Sequence, residues 1–159
     1  MSDHDAILVD HSSVDLSVDL APWSDLIPAT ASIIAVDRLA NVYLRRPDKG
    51  VLMLDVHFGV VEELAQLESD FEREFAGSDL GLHIRGLLRD SVAYDVKPKT
   101  GEVLVFTPPV ALGGDLTAST AMAMKLKTAL HLLGHIFLKT REMPPGSRID
   151  HLTVNGRRP

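Results

Sequence analysis

The sequence predicts an α+β fold: a mostly antiparallel sheet of about five to six strands, with a long buried C-terminal helix and two short helices packed on it. Three observations carry that expectation. Short runs of β-branched and large apolar residues recur between Pro- and Gly-containing turns, aromatic residues then fall four apart in a charged segment, and a strongly apolar helical stretch follows a Gly-Gly pair. Hairpins with helices set among them, without strict strand-helix alternation, suit an α+β domain.

The elements follow in chain order. From Val14 to Leu20 apolar and polar residues alternate, with Val14, Leu16, Val18 and Leu20 set against Asp15, Ser17 and Asp19. A period of two predicts a half-buried strand with an acidic outer face, and Pro22 and Pro28 place it at an edge or in an arm on the body. Ser32 to Val36, Val42 to Arg46 and Val51 to Val56 predict three strands, the last two joined by a Pro47-Asp48-Lys49-Gly50 turn in which Pro fixes one φ and Gly permits a positive one. A turn at His57-Phe58-Gly59 leads to Val60-Val61, and from Glu62 the chain is expected to become helical. Leu67, Phe71 and Phe75 share one face of a short helix, with Ser69 as N-cap, Glu72 completing the capping box and Gly77 as its end.

Leu80 to Leu88 predicts a second short helix with Leu80, Ile84, Leu87 and Leu88 inward. Val92 to Val96 and Glu102 to Phe106 then read as a hairpin through residues 97–101, and Pro108-Pro109 stops it. After Gly113-Gly114, Asp115 or Thr117 caps a long helix to about Lys139, with Met122, Leu126, Ala129, Leu130, Leu133 and Phe137 inward and Met124, Leu132, Ile136 and Leu138 widening the apolar surface. Ile149 to Val154 is a candidate last strand. The division expected is an acidic N-terminal arm over residues 1–29, one α+β domain over 30–140, and a C-terminal extension over 141–159.

Composition narrows the function. With 159 residues, 45% of them hydrophobic, the chain can bury one sizeable core. Sixteen basic against 22 acidic side chains leave a formal charge of -6, which disfavours a surface that neutralises phosphates and favours a basic partner. With no cysteine, thiol nucleophiles, disulfides and thiolate metal sites are excluded. No apolar run long enough to span a bilayer and no secretory leader pattern occur, so a cytoplasmic protein without membrane or nucleic-acid partners is expected.

The constellations that could carry chemistry are weak. His131 and His135, four apart, share a helical face and form the candidate metal pair, but a zinc protease needs Glu directly after the first His and Leu132 stands there. Steps of four along that face reach Lys127 and Lys139, whose ammonium groups repel a cation, so a solvent-facing polar stripe is the plainer reading. Leu112-Gly113-Gly114-Asp115 resembles a phosphate-cradling loop only in its glycines, since Asp115 puts a negative charge where the anion would sit. No Gly-x-Ser-x-Gly elbow is present. Arg85 and Arg89, with Asp90 beside them, read as surface ion pairs.

Two stretches carry a family resemblance. Ala35 to Arg45, Val51 to Val56, the Gly59 turn and Phe71 resemble the first half of a bacterial domain found at the C-terminus of immunity proteins against type VI secretion DNase effectors. Phe106-Thr107-Pro108-Pro109-Val110-Ala111-Leu112-Gly113-Gly114, followed by Lys125 to His131, is similar to that family's Phe-x-Pro-x-Leu-Ala-Leu-Gly-Gly signature and final helix, with Val110 where leucine is common. Phe106, Pro108, Leu112, Gly113 and Gly114 are its structural signature here. The likeness covers roughly residues 30 to 138, and many members carry a separate N-terminal domain where this chain has its acidic segment.

The resemblance, which extends to the SUKH superfamily of immunity proteins, implies an α+β domain that binds a protein toxin without catalysis and without a cofactor. The acidic residues Asp15, Asp19, Glu62, Glu63, Glu68, Asp70 and Glu72 are then the candidate contacts. Plain solubility explains them equally well. Two other readings stand beside this one: a metal-dependent enzyme built on His131 and His135, and a stand-alone ligand-binding or scaffold domain. An exposed alternating strand at 14–20 would also allow a homodimer.

Overall fold

Six strands and four α-helices fall within residues 6–48, 50–64 and 71–148, which are the residues that the computed structural model describes. Strands β1 (Ser32–Val36), β2 (Val42–Arg45), β3 (Val51–Asp55) and β4 (Val60–Leu64) form an antiparallel sheet in that spatial order. Strands β5 (Glu102–Phe106) and β6 (Ala121–Lys125) form a separate antiparallel pair. The Leu104 N–H donates to the Arg38 carbonyl at 2.7 Å, so the small sheet abuts the large one at the β1–β2 turn.

Alternation along the strands produces two cores, one on each face. Val42, Leu44, Leu52, Leu54, Val103 and Val105 face one side, where α4 (Leu126–Thr140) brings Leu126, Ala129, Leu130 and Leu133. The intervening Tyr43, Met53, Leu104 and Phe106 face the other, where α2 (Phe71–Gly77) and α3 (Asp79–Ser91) bring Phe75, Ile84, Leu87 and Leu88. Leu130, Ile84 and Tyr43 are fully buried, and sealing each large apolar side chain contributes roughly 1.5–3 kcal/mol. A register shift between Ile33 and Ala35 breaks the simple alternation of β1, so that Ile33 and Val36 join the α4 side and Ile34 and Ala35 the other.

The three strands expected between residues 32 and 56 are β1 to β3, the described part of the helix expected around Phe71 and Phe75 is α2, the helix expected over Leu80 to Leu88 lies within α3, and the class is α+β. Four expectations are corrected. Val14 to Leu20 is not a strand: Asp15 is an N-cap whose carboxylate accepts from the Ser17 and Val18 amides, and α1 (Leu16–Asp19) is one helical turn. Its Val18 is 67% exposed while Leu20 is fully buried, which a two-residue period does not allow. Pro22 then opens a 3₁₀ turn, Ala21–Trp23, that carries Trp23 into the core, so the acidic segment is joined to the body and is no edge strand.

Second, β4 continues through Glu62 and Glu63 to Leu64 before any helix. Third, Val92–Tyr94 is a 3₁₀ turn and not a hairpin strand. The Ser91 hydroxyl donates to the Leu88 and Val96 carbonyls, Asp95 takes φ +60°, and the chain reverses there with Val92 and Tyr94 exposed. That leaves β5 without its expected partner, and a buried strand must satisfy its backbone groups. The fourth correction supplies them: 121–125, expected to be the start of the long helix, is β6, paired from Glu102↔Lys125 to Phe106↔Ala121. The helix begins at Leu126, so neither Asp115 nor Thr117 caps it and Met122 and Met124 lie on a strand.

The candidate strand at 149–154 and the N-cap Ser69 lie outside the described residues. Among the described residues no helix is long and apolar enough to cross a membrane.

Candidate functional site

The Phe106–Gly114 segment serves the fold. Phe106 is buried edge-on against the His57 ring, 5.4 Å between centroids. After it the Leu112 and Gly114 amides both donate to the Pro109 carbonyl, at 2.9 and 3.1 Å, and Gly113 takes φ +88°. A Cβ on Gly114 would stand 1.7 Å from the Pro108 carbonyl oxygen, so only glycine closes this loop. Leu112 is half-buried and Pro108 exposed. The signature residues therefore shape the turn that returns the chain to β6.

The acidic candidates separate into two groups. Asp15 and Asp19 are used internally. Asp15 caps α1, and its bonds to the Ser17 hydroxyl and to the Ser17 and Val18 amides hold its carboxyl below the usual range. Asp19 accepts from the Asp15 amide at 2.8 Å and pairs with Lys127 on α4 at 3.4 Å. Glu62 and Glu63 are neighbours on β4 and point to opposite faces of the sheet, because Glu62 pairs across from Met53 and Glu63 from Leu52. Glu63 meets the Arg46 guanidinium at 2.6 Å, which also holds Asp48 at 2.9 Å. Glu62 is exposed and has no hydrogen-bond or ion-pair partner among the described residues. Glu72 is exposed on α2, and Glu68 and Asp70 lie outside the described residues.

His131 and His135 do share a face, but they do not simply look outward. With Val18, Asp19, Pro22 and Leu138 they line a shallow depression of about 200 Å³ between α1 and α4. Close approach of the two segments depends on Gly134, where a Cβ would fall 2.5 Å from the Pro22 ring. Among the described residues no three His, Asp or Glu side chains are grouped so as to hold a metal ion, and Lys127 occupies the one carboxylate in the depression.

The most developed polar cluster was not singled out from the sequence. It is the β1–β2 turn, Asp37 to Asn41, buried throughout. One Asp37 oxygen accepts from the Leu39 and Asn41 amides at 2.8 and 3.0 Å, and the other accepts from the Asn41 side chain at 3.0 Å and the Tyr43 hydroxyl at 2.9 Å. Burial pushes the Asp37 carboxyl up to about 7 against the pull of those donors, and burial, with Asp37 alongside, raises the Tyr43 phenol. Arg38, 1% exposed, donates to the carbonyls of Ala6, Lys99 and Glu102 and so ties three segments together. His57 binds the Leu39 carbonyl through Nε2 at 2.8 Å, and burial holds its pKa below the usual value. An Asp and an Asn four apart between two apolar strands, with the side chain able to cap its own turn, was the available signal.

The outer side of β4 is the remaining feature. Phe58 and Val60, 57% and 45% exposed, stand at the start of that edge and Glu62 and Glu63 along it.

No protein-family model matches the chain, and no curated protein matches it. Among solved structures it is similar to the crystal structure of Atu4351 from Agrobacterium tumefaciens, with a TM-score of 0.55 and 10% sequence identity over 82% of this chain and 67% of that one. At that identity the likeness shows a shared fold alone.

Proposed function

We propose that this chain is a non-catalytic, cytoplasmic binding protein of the immunity kind, which neutralises a secreted nuclease toxin by covering it. The class comes from the resemblance of residues 35–56 and 106–114 to immunity domains against type VI DNase effectors. The observation that carries a protein-binding role is the β4 edge, where exposed Phe58 and Val60 adjoin a Glu62 that has no counter-charge among the described residues. Apolar anchors beside uncompensated charge suit a protein surface of opposite sign, and a nuclease, which must hold polyanionic substrate, is basic around its active site.

The test is co-expression with the product of the adjoining gene. The expected result is a stable complex at low ionic strength, weakened by salt, in which nuclease activity is abolished. A partner that remains uncomplexed and fully active at low ionic strength overturns the reading.

A further inference from the structure

We propose that the outer edge of β4 receives an extended segment of a basic partner protein as an added strand. This rests on the binding role above and specifies its mode. The large sheet ends in two outer strands, and they are treated differently. The β1 edge is interrupted by its register shift and covered at one end by residues 7–9: Leu8 bridges Asp37, the Val9 N–H donates to the Val36 carbonyl at 2.9 Å, and the Arg38 N–H donates to the Ile7 carbonyl at 2.9 Å.

Among the described residues the β4 edge has none of these protections. Its five residues pair with β3 in unbroken register, it contains no proline, and among the described residues nothing pairs with its outer side. Alternate residues of such a strand turn an amide and a carbonyl outward, and those groups bond readily to another extended chain.

Charge selects the occupant. A second copy pairing antiparallel on this edge about a two-fold axis at Glu62 or at Glu63 would set that carboxylate against its own counterpart, and like charges directly opposite repel. Arg46 offsets only part of this charge, because it is shared between Glu63 and Asp48 and leaves Glu62, on the other face, without an ion-pair partner among the described residues. A strand carrying Lys or Arg at successive positions meets one carboxylate on each face of the sheet. An apolar residue further along it reaches Val60 and Phe58.

The experiment is amide hydrogen exchange on the full chain, alone and bound to the adjoining-gene nuclease, with affinity measured for Glu62→Lys and Glu62→Gln. The proposal expects the β4 amides, residues 60–64, to slow by about tenfold or more on binding. It also expects Glu62→Lys to weaken binding by about tenfold at low ionic strength, less at high salt, with Glu62→Gln between it and wild type. Since Glu62 is exposed and makes no hydrogen bond or ion pair among the described residues, unchanged melting of both variants separates lost binding from lost structure.

If the complex forms while residues 60–64 exchange as in the free chain, or Glu62→Lys binds as wild type does, strand addition is wrong and the immunity reading stands. If no complex forms, the immunity reading fails and strand addition fails with it. Protection of residues 60–64 in the chain alone, with a dimeric mass in sedimentation, assigns the edge to a second copy and overturns the basic partner.

Discussion

Asp37 and Glu62 are carboxylates on the same four-stranded sheet with opposite surroundings. Asp37 is fully buried and accepts four hydrogen bonds, while Glu62 is exposed and accepts none among the described residues. The first charge is committed to holding a turn, and the second is left for whatever approaches the edge. Acidity counted along a sequence does not distinguish the two; the number of donors around each group does.

The largest effect is expected at the sealed end. Asp37→Ala strands the Leu39 and Asn41 amides and the Tyr43 hydroxyl in the interior and should cost about 3–5 kcal/mol in denaturant unfolding. A loss under about 1 kcal/mol would mean the turn is held by its backbone alone.

The pH dependence follows from the same group. Because the folded Asp37 carboxyl titrates near 7 and the unfolded one near 3.8, the folded state binds the extra proton between those values. Stability from this source therefore falls as pH rises from about 4 to about 7, by at most roughly 4 kcal/mol. His57 acts in the opposite sense: its lowered pKa means that the unfolded state takes up the proton first, so stability is lost as pH drops below 6.5. Asp37→Asn, which keeps an acceptor for the two amides, should remove the loss between pH 4 and 7 and leave the acid-side loss. A melting temperature that depends on pH in the same way in both proteins would contradict the assignment.

Smaller still is Gly134→Ala, which presses α4 against Pro22 and Trp23 and should cost about 1–3 kcal/mol. The same substitution at Gly86, where a Cβ meets nothing within 4 Å, should be neutral or stabilising. At the open end, Glu62→Lys should leave the unfolding midpoint where it is, because no hydrogen bond or ion pair among the described residues is lost.

Particular residues show what was legible. The β1 to β3 strands were readable from their apolar runs and from the Pro47-to-Gly50 segment that joins two of them, and α3 from the spacing of Leu80, Ile84, Leu87 and Leu88; its Ser78 cap, which accepts from the Gly81 amide, was not read. Segment 121–125 was not, since Ala-Met-Ala-Met suits a helix by propensity and alternates like a strand; the vacancy beside β5 decided it. Asp15 outweighed the alternation around it by capping a single turn. The turn at Asp37 lay in plain view, but its partners Arg38, Asn41, Tyr43 and His57 converge only in three dimensions. Glu62 and Glu63 were picked from the sequence, yet their placement on an open edge needed β4 to extend past Val61.

The account is tested most directly by titrating the product of the adjoining gene, at low ionic strength, with wild type, Glu62→Lys and Asp37→Asn in parallel, each with its thermal melt. The account predicts that Glu62→Lys melts as wild type and binds about tenfold more weakly, whereas Asp37→Asn binds as wild type and differs only in its melting. Binding that tracks Asp37 and ignores Glu62 would contradict it.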